Sequence, residues 1–190
     1  MEAFLISTGI VALAEMGDKT QLLSLVLAAR FRKPWPIVFG ILVATLANHA
    51  LAGAAGAWVT TLLGPQVLRW VLGGSFIAMA TWMLIPDKLD EGDADKALRL
   101  GVFGTTLVAF FLAEMGDKTQ LATVALGARF VSAAWVTAGS TLGMLAADGA
   151  VVFGGSYLAR LVSPVTLRRI AGALFLILGV AALAGAFRLS

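Results

Sequence analysis

Cysteine is absent from this chain, which excludes a disulfide framework, a thiolate metal site and thiol redox chemistry. Charge is also scarce. Charged residues make up 13% of the chain and hydrophobic residues 59%, with a mean hydropathy of +0.92. A soluble domain carries about 25% charged residues, so this is the composition of a membrane protein. The net charge of +3 does not indicate nucleic acid as a partner, because the basic residues are scattered at segment ends and form no patch interleaved with aromatics. The first apolar stretch lacks the basic leading region of a cleaved signal and is too long for one. It is expected to stay in the mature protein.

Six stretches are long enough, at about 20 residues, to cross a hydrocarbon core of roughly 30 Å. They run approximately over 4–29, 35–63, 67–85, 101–128, 135–158 and 167–187. Breakers and charges collect in the gaps, among them Arg30, Arg32, Lys33, Pro34, Gly64, Pro65 and Arg129. Helix is the expected conformation, because a lone strand in lipid would leave its backbone groups unpaired. Trp35, Trp58, Trp70, Trp82 and Trp135 fall near the span ends, where an interfacial aromatic belt anchors a membrane protein.

The decapeptide LAEMGDKTQL occurs at 13–22 and again, unchanged, at 112–121. The same offset of 99 pairs Phe4 with Phe103, Arg30 with Arg129, Gly40 with Gly139, Gly56 with Gly155, Pro65 with Pro164 and Phe76 with Phe175. The chain therefore reads as two three-helix halves, 1–86 and 101–190, joined by an acidic linker at 87–100. An odd number of spans per half makes the second half enter the membrane from the opposite side. The expected fold is an all-α membrane protein whose six transmembrane helices form two inverted three-helix repeats. With the amino terminus outside, the inner loops hold Arg30, Arg32, Lys33, Lys88, Lys96, Arg99, Arg160, Arg168 and Arg169. That excess of basic residues puts both termini on the periplasmic side and the linker in the cytoplasm. The acidic run in the linker lacks the spacing and closing Glu of an EF-hand and reads as a solvated connection.

Each copy of the decapeptide places ionisable groups in an apolar span, Glu15, Asp18 and Lys19 in one and Glu114, Asp117 and Lys118 in the other. An ionised group there costs roughly 2.5 to 3.5 kcal/mol even on lenient insertion scales, and such residues mark functional sites. Three residues apart on a helix, Glu15 and Asp18 share a face, and Lys19, four from Glu15, can pair with it. Gly17 loosens that helix, and a break there would free carbonyls to act as ligands. Four carboxylates and two lysines leave a formal charge of minus two, which one divalent cation or two protons would balance. If the halves bring the motifs side by side, Glu15, Asp18, Glu114 and Asp117 form a cage of hard oxygen donors suited to calcium, magnesium or manganese. Crowded carboxylates of this kind can bind either protons or metal.

Several neighbours admit two readings. Gln21 and Gln120 could add amide oxygens to the ion or bond to neighbouring helices. Thr20 and Thr119 could donate hydroxyl oxygens or bond back to their own helix. Met16 and Met115 are ordinary gap-filling residues whose thioethers would favour manganese if they ligate. The offset also aligns His49 with Asp148, both inside spans. Asp148 reads as an accessory or proton-coupling residue, and His49 as a weaker candidate for the same role.

Two copies of Glu-x-Gly-Asp-Lys-Thr in a chain with three-plus-three spans resemble the Gdt family (uncharacterised protein family sixteen), which includes bacterial manganese exporters of the MneA type and Golgi and chloroplast transporters of manganese and calcium. The similarity covers nearly the whole chain, and every signature position is present: Glu15, Gly17, Asp18, Lys19, Thr20 and Glu114, Gly116, Asp117, Lys118, Thr119. It implies cation/proton exchange by alternating access, with manganese exported across a bacterial inner membrane, the acids holding the ion, and no cofactor beyond that cargo. The residues by themselves reach only a divalent-cation site. Ca2+/H+ exchange remains the alternative, an exporter of basic amino acids or other organic cations is a more distant one, and a homo-oligomer is compatible with the sequence. An intramembrane enzyme is not favoured, because arginine for binding phosphate lies only at span ends.

Overall fold

The computed structural model describes residues 1–85, 100–160 and 164–187. Except for Leu100, the acidic linker expected at 87–100 lies outside the described residues, as does Arg188. Among the described residues the chain is all helix: α1 (Glu2–Glu15), α2 (Lys19–Phe31), α3 (Pro34–Leu62), α4 (Pro65–Trp82), α5 (Gly101–Glu114), α6 (Lys118–Phe130), α7 (Ala133–Arg160) and α8 (Pro164–Phe187). Prolines open α3, α4 and α8, because the first helical turn needs no N–H from that position and the ring presets φ. The short helices α2 and α6 end at equivalent left-handed residues, Arg32 and Val131.

Among the described residues, three helices are long and apolar enough to cross a membrane on their own: Pro34–Leu62, Ala133–Gly155 and Val165–Gly185. The two stretches expected as spans that carry the motif are not continuous helices. Each is split in two, α1 with α2 and α5 with α6, at 16–18 and 115–117. At 1.5 Å per residue, a piece of 13 or 14 residues covers only about 20 Å. The outer surface is apolar, with Leu5, Phe39, Leu46, Leu51, Phe153 and Ile177 exposed, while Glu15, Glu114, His49 and Asp148 are fully buried. This distribution reverses that of a soluble protein and suits a hydrocarbon solvent.

The helices pack in equivalent pairs. α7 lies along α1 as α3 lies along α5, and α3 packs on α6 as α7 packs on α2. Close approach depends on small residues. A Cβ on Gly139 would stand 2.4 Å from the Phe4 carbonyl oxygen, and one on Gly56 would stand 2.0 Å from that of Val124. Among the described residues, some pairs related by the offset of 99 touch each other. Thr45 Oγ1 donates to Met144 Sδ at 2.9 Å, and Phe76 stacks on Phe175 with ring centroids 6.1 Å apart. One equivalence fails, however. The α4–α8 pair packs against α1 and α6 and has no comparable packing against the equivalent helices α5 and α2.

Candidate metal centre

The break in each motif comes from its glycine. Gly17 has φ +86° and Gly116 φ +75°, values that L-residues with a Cβ avoid. Glu15 and Glu114 therefore end α1 and α5, while Asp18 and Asp117 sit at the N-caps of α2 and α6. The expectation that Glu15 and Asp18 share one helix face is corrected accordingly, since they belong to successive helices. Each break is held by the motif's glutamine, which satisfies a backbone donor there. Gly17 N–H donates to Gln21 Oε1 at 2.9 Å, and Gly116 N–H donates to Gln120 Oε1 at 2.8 Å. At each break a helix C-terminus meets a helix N-terminus, so partial charges of both signs lie beside the acids.

The two breaks converge. One carboxylate oxygen from each of Glu15, Glu114 and Asp117 lies within 4.8 Å of the others, and all three residues are buried. Asp18 is buried too, but it does not join that group. Both oxygens of Glu15 accept hydroxyl bonds, one from Thr20 of its own motif and one from Thr119 of the other. Glu114 has the same local sequence, yet neither of its oxygens has a hydrogen-bond partner among the described residues. Lys19 was expected beside Glu15. Its Nζ instead lies 3.1 Å from Asp117 Oδ1, because the break removes the i, i+4 helical relation on which that expectation relied. Lys118 Nζ donates to the carbonyl of Ile85 at 2.6 Å.

His49 and Asp148 flank this group. His49 Nε2 stands 3.7 Å from Glu114 Oε2. Asp148 Oδ1 accepts from Ser24 Oγ at 3.2 Å and lies within electrostatic reach of Glu15 and Glu114. Ser24 went unnoticed in the sequence, because no local pattern ties it to a residue 124 positions away. Asn48, next to His49, donates to the Phe111 carbonyl at 3.1 Å, which fixes α3 against the helix carrying Glu114. Met115 is 57% exposed, and Met16 is half-buried.

Buried polar atoms are normally paired. Among the described residues, those without a partner are both ring nitrogens of His49, both oxygens of Glu114, Asp117 Oδ2, Asp148 Oδ2, Ser7 Oγ and Thr141 Oγ1. Most of these belong to the group around Glu114. Three buried carboxylates that each bring an oxygen within 4.8 Å of the others, two of them with oxygens left unpaired, fit a hard divalent cation of calcium, magnesium or manganese size. Buried acids between broken helices are an arrangement that membrane transporters of cations use.

Comparison with known proteins gives that class a family. The profile of the "Divalent cation/proton antiporter GDT1" family matches the chain twice, over residues 3–91 and 102–190. The chain belongs to the GDT1 family of divalent cation/proton antiporters, which are transporters and not enzymes. It is 52% identical over 182 residues to a protein of Vibrio cholerae serotype O1 named "Putative manganese exporter", covering 95% of this chain and 90% of that one. It is 30% identical to a GDT1-like protein of Synechocystis, covering 95% and 96% of the two chains. A GDT1-like protein of Oryza sativa subsp. indica is 28% identical over 92% of this chain and 70% of its own length. No solved structure matches.

Proposed function

We propose that this protein exports Mn2+ across a bacterial inner membrane in exchange for protons, by alternating access. The observation that carries this reading is the convergence of Glu15, Glu114 and Asp117, contributed by both copies of the motif, with Glu114 and Asp117 holding unpaired oxygens. Glu15, Glu114 and Asp117 bind the ion directly. Asp18 completes the acidic set when the halves move, and Lys19 and Lys118 balance charge when the ion has left. Thr20 and Thr119 hold Glu15 in place. Gln21 and Gln120 keep the breaks open, and with the breaks the path to the ion.

The halves act as inverted repeats, six spans in all, with both termini outside. Support comes from the equivalent helix pairs and from the contacts of Thr45 with Met144 and Phe76 with Phe175, since equivalent residues meet where a two-fold axis passes. The one-sided packing of the α4–α8 pair supports alternating access. A second state with that pair against α2 and α5 would be its counterpart, reached by rocking around a fixed ion site. Manganese as cargo is supported by the name of the Vibrio relative. Calcium is the alternative, favoured by the all-carboxylate group.

The test is proton movement driven by metal in proteoliposomes of the purified protein, comparing manganese, calcium and magnesium, with Glu114→Gln as control. Manganese-driven proton flux that disappears in the variant is expected. Metal flux without protons would replace exchange by uniport, and flux with calcium alone would change the cargo.

A further inference from the structure

We propose that His49 supplies a nitrogen ligand to the divalent cation held by Glu15, Glu114 and Asp117, and that this nitrogen raises the site's preference for a transition metal over calcium and magnesium. The inference rests on the ion site proposed above and adds to it the origin of its selectivity.

The observations concern the imidazole ring. His49 lies on α3, is fully buried, and has no hydrogen-bond partner at either ring nitrogen among the described residues. A buried imidazole that served only packing would normally have its N–H satisfied. Here the backbone carbonyl of His49 is bonded, accepting from Thr137 Oγ1 at 3.1 Å, while the ring faces Glu114. The 3.7 Å from Nε2 to Glu114 Oε2 is long for a hydrogen bond. It suits two ligands of one ion. Donors each about 2.2 Å from a shared metal, near the usual nitrogen and oxygen distances, stand 3.7 Å apart when they subtend roughly 115° at it. Both oxygens of Glu114 are also unpaired, so the carboxylate is free to turn toward the same ion.

The position is also where the two halves differ chemically. The motifs are identical, but the residue equivalent to His49 is Asp148, whose Oδ1 is already engaged by Ser24. The first half thus offers a nitrogen donor at a position where the second half carries a carboxylate. Calcium and magnesium take oxygen ligands. Imidazole nitrogen suits first-row transition metals, and a site that includes one discriminates against the alkaline-earth ions. Iron and zinc gain from the same nitrogen, so the discrimination concerns calcium and magnesium alone.

His49 is the sole histidine of the chain, so the ligand can be identified without altering the protein. Mn2+ would be bound to protein purified without a histidine tag, and its electron spin echo modulation recorded for unlabelled protein and for protein grown with 15N-histidine. A 14N modulation that becomes a 15N pattern on labelling is expected. Titration should show a loss of Mn2+ affinity of about 10- to 100-fold in His49→Gln, of the size seen when groups around a metal are removed, with Ca2+ affinity changed less than about threefold. Mn2+ that binds, and is lost in Glu114→Gln, but shows no histidine modulation would overturn the role of His49 and leave the carboxylate site standing. Mn2+ binding unaffected by Glu114→Gln, or no Mn2+ binding at all, would overturn the carboxylate site and this inference together.

Discussion

Lys19 Nζ lies 3.1 Å from Asp117 Oδ1, an ion pair that joins the first copy of the motif to the second. The lysine side chain is 21% exposed and the aspartate 3%, so the pair is shielded from water and its loss leaves a buried charge uncompensated. Lys19→Met should destabilise the protein by about 3 to 5 kcal/mol, the range for breaking such pairs, read as a lower midpoint of thermal unfolding in detergent. Adding Asp117→Asn should restore much of that loss. A double-mutant cycle between Lys19 and Glu15 should give a much smaller coupling than one between Lys19 and Asp117, and the reverse ranking would show that the pair forms within one motif.

The two motif glutamates should separate stability from transport. Glu114 accepts no hydrogen bond among the described residues, so Glu114→Gln should remove Mn2+ transport while leaving the unfolding midpoint unchanged or raised. Glu15 accepts two hydroxyl bonds, and Glu15→Gln should remove transport and also cost about 1 to 3 kcal/mol, because the amide nitrogen cannot accept and leaves a buried hydroxyl unsatisfied. Equal stability of the two variants would contradict the asymmetry between them.

The breaks depend on a backbone conformation and on a side-chain cap. A Cβ on Gly116 would meet nothing within 4 Å, so Gly116→Ala isolates the conformational cost of φ +75°, about 1 to 2 kcal/mol. Gly116→Asn should cost less, because asparagine tolerates that region. Gln21→Leu leaves Gly17 N–H without its acceptor and should cost about 1 to 3 kcal/mol. Thermal unfolding of the three variants, with Mn2+ binding followed in parallel, checks both claims.

Packing between the halves should fail at chosen glycines only. A Cβ on Gly56 would stand 2.0 Å from the Val124 carbonyl oxygen, and one on Gly139 would stand 2.4 Å from that of Phe4. Gly56→Ala and Gly139→Ala should each destabilise by about 1 to 3 kcal/mol, as overpacking does. Gly9 has nothing within 4 Å of its would-be Cβ, and Gly9→Ala should stabilise α1 by up to about 1 kcal/mol through helix propensity. Unfolding midpoints that do not follow this order would remove the close contacts from the account.

Much of the helical outline was legible in the sequence, because span length and apolar composition are local properties. The stretch expected at 35–63 is α3 to within a residue, and that at 167–187 falls inside α8. The stretches that carry the motif were legible less well. A glycine between two acids reads as a loosening, but whether it breaks the helix depends on what lies opposite to hold the opened ends. The carboxamides of Gln21 and Gln120 do so here. Pairing of Lys19 with Glu15 followed from helical spacing and failed with the helix.

By itself, the sequence determined that this is an all-helical membrane protein with a duplicated acidic motif, because hydropathy, repetition and the cost of charge in lipid are written residue by residue. It also singled out Glu15, Glu114 and Asp117, though among equals. The tertiary structure decided which of those acids meet, which lysine faces which aspartate, and why two glutamates in identical decapeptides differ. Those outcomes depend on how α1, α3, α5 and α6 pack, on hydroxyls reaching across from the other copy, and on His49 and Asp148 at positions where the repeat is not conserved. A repeat in the sequence treats its copies alike, whereas a folded chain that holds one conformation need not.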